Sequence, residues 1–292
     1  MPSARRRCFP VAAVTFAFLA LAPGLTSAQD AEPDVPRRSA TLPASFGFSA
    51  GDVLKLLFPD YVEASGRVPS IRDEEGAAAK VWISEAKPWK GDHLVLVVRI
   101  AADASEAATG LCGACLGRAL LAVVQRKGDS VVRVAMGRPP KTLDDNEPDD
   151  VIGFGGHSSI ALDLAPYALN KGEMLIGLRH DTIWREIRSN SLELYRIEDG
   201  RLNVVFQTLV ADFEYPGYPE MPRAIVKTIA IIEPQPSSQK YYDLRVTRTV
   251  NRCTDRNEDD DCDPKHEPVR RIRTTTERWQ FDGAAYQRTK EN

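Results

Sequence analysis

Residues 192–206 read Leu-Glu-Leu-Tyr-Arg-Ile-Glu-Asp-Gly-Arg-Leu-Asn-Val-Val-Phe, and their reading decides the fold class. Leu192 and Leu194 lie either side of the charged Glu193, the alternation of a strand, and Ile197 follows. Asp199-Gly200 interrupts the alternation, and Leu202 to Phe206 resumes it. Asp-Gly tolerates the positive φ values of a two-residue turn, so the stretch predicts a β-hairpin.

The same grammar extends in both directions. Toward the C-terminus, Ala224 to Ile232, Tyr241 to Val250 and Arg270 to Phe281 read as strands. Asp282-Gly283 turns the last of them back into Ala285-Tyr286-Gln287. Toward the N-terminus lie Met174 to Leu178, Ser159 to Leu164, and the pair Ala119 to Val124 and Val131 to Met136 around Lys127-Gly128-Asp129. Lys80 to Ser84 and Leu94 to Ala101 come earlier, the second nearly all apolar and so central in its sheet. One helix is expected: Ser49 can cap it, Asp52 sits three residues on, and Val53, Leu54, Leu56 and Leu57 give an apolar face before Pro59. The chain therefore reads as mainly β, with antiparallel sheets in a sandwich or propeller-like arrangement and one short N-terminal helix.

Three arginines, Arg5 to Arg7, precede the apolar stretch Val11 to Ala22, and Thr26-Ser27-Ala28 supplies small residues at a cleavage position. This is the pattern of a secretory signal peptide over 1–28, with the mature chain starting near Gln29. The expected location is the periplasm of a bacterium or the extracellular space. Residues 29–43 are polar and Pro-rich, as in a flexible leader. Residues 44–292 follow as one β-rich domain, with a division near the acidic 141–150 stretch as the alternative. No later stretch has the apolar length of a transmembrane segment.

The 292 residues are 43% hydrophobic and carry a formal net charge of −3. That charge argues against nucleic acid as a partner, because binding a phosphate backbone calls for a strong positive field.

Beyond Cys8, four cysteines remain: Cys112, Cys115, Cys253 and Cys262. In an oxidising compartment an even number reads as disulfides. Three pairings are open, of which Cys112–Cys115 with Cys253–Cys262 is favoured as the short-range one. A zinc site from the same sulfurs would call for a second CxxC or a close histidine pair. Cys112-Gly113-Ala114-Cys115 is similar to the thioredoxin-type motif in spacing and in Gly113, and that resemblance implies a thiol–disulfide redox role. The strands expected after it differ from the helix that such chemistry uses to lower a thiol pKa.

Between the last two cysteines, oxygens recur on alternate residues: Asp255, Asn257, Asp259, Asp261 and Asp263. Calcium takes six to eight hard oxygen ligands. The spacing resembles the calcium loops of EF-hand, dockerin and thrombospondin-type repeats, which implies calcium as a cofactor. The competing reading is a solvated acidic tip balanced by Arg245, Arg248, Arg252, Arg270, Arg271, Arg273 and Arg278 on the flanking strands.

Other candidates are sparse. Gly153-Phe154-Gly155-Gly156-His157 is glycine-rich, but a strand is expected after it, where a dinucleotide loop would open a helix. No GxxxxGK[ST], HExxH or GxSxG motif occurs. The histidines, His93, His157, His180 and His266, lack metal spacing. Phe213, Tyr215 and Tyr218 among Pro216, Pro219 and Pro222 form an aromatic loop able to stack on a sugar or peptide. The sequence thus points to an exported, non-catalytic protein that binds a partner protein or an envelope component. The alternatives are a hydrolase of cell-wall or sugar substrates using a carboxylate pair, and a CxxC redox protein.

Overall fold

Local capping starts the described chain. Ser49 accepts a hydrogen bond from the Asp52 N–H through its hydroxyl, and Asp52 accepts from the Ser49 N–H at 3.0 Å. This reciprocal box satisfies two donors that a helix start leaves orphaned, and helix α1 (Ala50–Leu57) begins there. The Ser49 hydroxyl, which donates to the Asp52 carboxylate at 2.6 Å, and then the Ser49 N–H hold that carboxyl below its usual range. Val53, Leu54 and Leu57 are buried. Ser49→Ala is expected to destabilise the protein by about 1 kcal/mol. Denaturant unfolding would measure it, and an unchanged midpoint would show that the cap contributes nothing.

A computed structural model describes residues 39–73, 76–102, 117–141, 143, 152–154, 159–184, 187–214, 225–236, 240–253 and 271–289. Contacts divide the chain into Met1–Asp34 and Val35–Asn292, and all described residues belong to the second unit.

Two antiparallel sheets follow α1. The first contains β1 (Arg67–Arg72), β2 (Ala78–Pro88), β3 (His93–Ala101), β4 (Gly117–Lys127) and β5 (Ser130–Met136), hydrogen-bonded in that order. β6 (Ile152–Phe154) also pairs with β4. The second sheet is an eight-stranded meander of β7 (Ser159–Asp163), β8 (Ile176–Trp184), β9 (Ile187–Glu198), β10 (Arg201–Glu214), β11 (Ile225–Gln235), β12 (Asp243–Cys253), β13 (Arg271–Phe281) and β14 (Tyr286–Arg288).

The expected hairpins are present, with one difference in detail. Asp199 and Gly200 join β9 to β10 with φ values of 50° and 74°, as a two-residue turn of this kind demands. At Asp282-Gly283 the connection is longer. The Asp282 carboxylate accepts from the N–H groups of Ala284 and Ala285 at 2.8 and 2.9 Å, so the side chain builds the turn.

Alternation along each strand sorts its side chains into three apolar layers. Leu94, Leu96, Val98 and Ile100 of β3 pack with α1 on one face of the first sheet. Val95 and Val97 point the other way and meet the second sheet, together with Leu121 and Val123 of β4. That double burial explains why Leu94 to Val98 of β3 is apolar at every position. From the second sheet, Leu162, Leu178, Tyr195 and Leu202 complete this shared layer, so the two sheets are stacked over part of their faces.

The third layer lies on the opposite face of the second sheet. Leu192, Leu194, Phe206, Val210, Leu244, Val246 and Tyr286 meet Tyr167, Leu169 and Leu175 from the β7–β8 connection. The Phe206 ring stands edge-on to Trp279 at 5.2 Å and to Tyr286 at 6.0 Å between centroids. Phe206 is on β10 and Trp279 on β13, with two strands between them, so the sheet must curl around this layer for them to touch.

Two polar devices fix the C-terminal end of β7. The Leu162 N–H donates to Glu85 at 2.7 Å, and the Lys87 ammonium donates to the Leu162 carbonyl at 2.8 Å. The edge strand of the second sheet is thereby bonded to β2 of the first. At the next residue, the Asp163 carboxylate accepts from Arg179 Nε at 2.7 Å, the Tyr167 hydroxyl at 3.0 Å and the Ala165 N–H at 3.1 Å. Burial, with the Asp163 charge beside it, pushes the Tyr167 hydroxyl up to about 12.

Candidate binding face

On β11 to β13, odd and even positions take different fates. Ile232, Val246 and Glu277 form one cross-strand row, and Pro234, Leu244 and Trp279 the next. Val246 and Leu244 are buried in the curled layer, so the intervening residues face outward. Those make three rows: Glu233–Arg245–Arg278, Ile231–Thr247–Thr276 and Ile229–Thr249–Thr274.

This outer face displays three large aliphatic side chains. Ile229 is 43% exposed, Ile231 59% and, on β10, Leu209 45%. Single exposed apolar residues are ordinary, whereas a contiguous group marks a contact surface. Threonines extend the group, with the Thr249 and Thr274 hydroxyls 3.4 Å apart. Charges sit at one border and are paired there. Arg245 donates to Glu233 through Nη2 at 2.5 Å and Nε at 3.1 Å, and Arg278 donates to the buried Asp243 through Nε at 2.6 Å. The two rows beyond that border, Ile231–Thr247–Thr276 and Ile229–Thr249–Thr274, hold no charged residue.

The three aliphatic residues also flank a split in the sheet. β10 and β11 pair over only four positions, from Glu214↔Val226 to Ala211↔Ile229. Past that point Arg248, on β12, reaches across β11. Its guanidinium donates to the Leu209 carbonyl at 2.9 Å and to the Thr208 hydroxyl. A charged donor here occupies the carbonyl where the ladder has stopped.

A second polar group lies where this face runs under the first sheet. Glu193 accepts from the Tyr195 hydroxyl and, at 3.0 Å, from the Gln207 amide. Burial pushes the Glu193 carboxyl above its ordinary value of 4.5, and the Tyr195 hydrogen bond offsets part of that. A group whose pKa is raised by folding stabilises the protein below its unfolded pKa and loses that contribution as pH rises through the folded value. Glu193→Gln should therefore match wild type near pH 4 and surpass it in stability at pH 7.5. Unfolding free energies at the two pH values test this, and a variant that loses ground as pH rises would reverse the assignment.

His180 on β8 is held below its usual range, first by burial and then by the Arg99 charge, against an opposing effect of Asp181. Its main-chain carbonyl accepts from the Ser191 hydroxyl at 3.5 Å. That contact uses the backbone of His180 and does not join serine to imidazole as acyl-transfer chemistry would require.

The sequence-predicted sites fall mostly elsewhere. Asp255, Asn257, Asp259, Asp261, Asp263 and Cys262 lie outside the described residues, as do Cys112, Cys115, His157, Tyr215, Tyr218 and His266. Cys253 ends β12, and its backbone is opposite Ile225. Arg252 pairs with Arg271, so 254–270 connects two strands that are hydrogen-bonded neighbours. Phe213 has its backbone in β10, opposite Lys227. Gly153 and Phe154 lie in β6 opposite Arg118 and Gly117, so a short strand forms before Ser159, within a stretch that reads as a turn. Among the described residues no three His, Cys, Asp or Glu side chains converge as a metal site, and no helix is long and apolar enough to cross a membrane.

Sequence reasoning missed the outer face, although a signal was there. Residues 229–232 read Ile-Ala-Ile-Ile, apolar on both parities of a strand, so one apolar face would emerge on either side of the sheet.

Comparison with protein-family models, with curated proteins and with solved structures finds no match to this chain.

Proposed function

We propose that this chain is an exported, non-catalytic binding protein that meets a partner protein or an envelope component through the outer face of β10 to β13. The observation that carries this reading is the joint exposure of Leu209, Ile229 and Ile231 on either side of the point where β10 and β11 part. Uncharged rows that carry exposed isoleucines, with paired charges at their border, have the make-up of an association surface. The threonines beside it can exchange water for a partner's polar groups without stranding a charge.

The test is site-specific photo-crosslinking in the producing cell. A photoreactive side chain at Ile231 is expected to give one discrete adduct, and the same group at Val62, also exposed but remote on the chain, to give none. Ile229→Asp is then expected to abolish the Ile231 adduct. Absence of an adduct at Ile231, or equal labelling at Val62, would sink the reading.

Export and cross-linking belong to the same proposal and have their own measurement. Intact mass of the exported protein, alkylated before and after reduction, is expected to give a chain starting near Gln29 with four cysteines protected until reduced. Free thiols at Cys112 and Cys115 would favour the redox alternative. Calcium at Asp255, Asn257, Asp259, Asp261 and Asp263 is tested by titration calorimetry of wild type against Asp259→Ala, and no heat in wild type ends that idea.

A further inference from the structure

β13 presents a long, plain strand edge. Its inner edge is paired to β12 without a register shift from Leu244↔Trp279 to Arg252↔Arg271. Its outer edge, among the described residues, pairs with β14 only over Trp279 to Phe281. The Arg278 carbonyl is also taken, by the N–H and hydroxyl of Thr289, both at 2.9 Å. From Arg271 to Glu277 the outer edge carries no strand among the described residues.

Exposed edges are ordinarily blunted, by proline, by a bulge or by a covering contact. Two other outer edges among the described residues, β1 and β7, carry such devices. β1 has Pro69 and a register shift between Val68 and Arg72. β7 is clamped through Leu162 by Glu85 and Lys87. The β13 edge, Arg-Ile-Arg-Thr-Thr-Thr-Glu, has neither proline nor bulge.

Its charge states what it would accept. The described residues 240–253 and 271–289 contain eight Lys and Arg and three Asp and Glu, in a chain whose net charge is −3. All three acids are engaged. Asp243 is buried against Arg278, Glu277 lies 3.1 Å from Arg288, and Asp282 builds its own turn. Arg273 is exposed on the edge itself.

We propose that β13 takes up an extended acidic segment of a partner polypeptide by antiparallel strand addition. The outward-facing Arg278 carbonyl sets the phase: by the period of two, the main-chain groups of Thr276 and Thr274 also face outward. These two residues bond the incoming strand, and a carboxylate on it stands opposite Arg273. Main-chain bonds supply the affinity and the charge selects the partner. The proposal uses the main-chain edge of Thr274 and Thr276, which also end two rows of the outer face above; Arg273 lies in a row of the other face, so Arg273→Glu tests the edge separately.

The probe is a synthetic peptide of alternating valine and glutamate, with alternating valine and lysine as its control, titrated into the full chain by fluorescence anisotropy. The full chain is used, with its own acidic stretch Asp255 to Asp263. The acidic peptide is expected to bind and the basic one not to. Arg273→Glu is expected to weaken binding at least tenfold. Thr276→Pro removes an outward N–H and leaves the bonds to β12 in place, so it should abolish binding with an unchanged circular dichroism spectrum. Amide exchange at Thr274 and Thr276 should slow when the peptide is added, a readout that needs no variant to fold. Equal binding of the two peptides, no binding of either, or unaltered exchange at Thr274 and Thr276 would each overturn the proposal.

Discussion

Replacing Phe206 by alanine is expected to cost about 3–5 kcal/mol of folding stability, the range for deleting a buried aromatic side chain. Phe206 is 3% exposed and lies between Trp279 and Tyr286 inside the curl of the second sheet. Removing its ring deletes apolar area and also leaves a cavity whose walls come from β10, β13 and β14. Those walls are held by main-chain ladders and cannot simply collapse inward. The Tyr286 hydroxyl, tied to the Tyr242 carbonyl at 3.0 Å, resists the movement as well. The measurement is the denaturant midpoint with unchanged slope. Trp279 fluorescence should shift to longer wavelength in the native state, because the indole loses the ring that stands against it. A loss under about 1 kcal/mol would mean that the sheet does not close around this layer.

Gly177→Ala should be nearly as damaging, for the opposite reason. A Cβ at Gly177 would stand 2.5 Å from the Asp163 carbonyl oxygen, 3.1 Å from the Tyr167 ring and 3.2 Å from the Asp163 Cβ. The first is backbone of the neighbouring strand, which faces Gly177 directly in register. Asp163 cannot yield freely, since Arg179, Tyr167 and Ala165 all donate to its carboxylate. Overpacking of this kind costs about 1–3 kcal/mol, and more where the obstacle is rigid. The variant should therefore unfold at a lower denaturant concentration and expose the β7–β8 connection to proteolysis. Pairing it with Tyr167→Ala relieves the ring contact and not the carbonyl contact, so only part of the loss should return. Full recovery in the double variant would place the obstruction on the ring alone.

Much of the architecture was legible in the residues because it is written in local chemistry. Asp199-Gly200 permits one kind of turn, Ser49 and Asp52 complete a capping box, and a run such as Leu94 to Ala101 suits a strand covered on both sides. Each of these is settled by groups a few residues apart, and a meander asks little more, since each strand of the second sheet pairs with its neighbour in sequence. The short strand β1 escaped notice because Pro69 and its polar neighbours disguise it, and β6 because three residues carry no period.

The candidate surfaces were less legible. Ile229 and Ile231 look like core residues in sequence, and only the placement of the first sheet over β7 to β10 leaves them uncovered. The Glu193 carboxyl likewise owes its raised pKa to neighbours brought over it by packing.

Alternation, turn residues and caps in the chain itself determined that this protein is built from antiparallel strands with one capped helix, because those signals act over a handful of bonds. Which faces those strands bury, where the second sheet curls, and which edge of β13 lacks a partner strand among the described residues were decided by tertiary structure. Burial depends on what arrives from distant parts of the chain, and alternation records only that a strand has two sides.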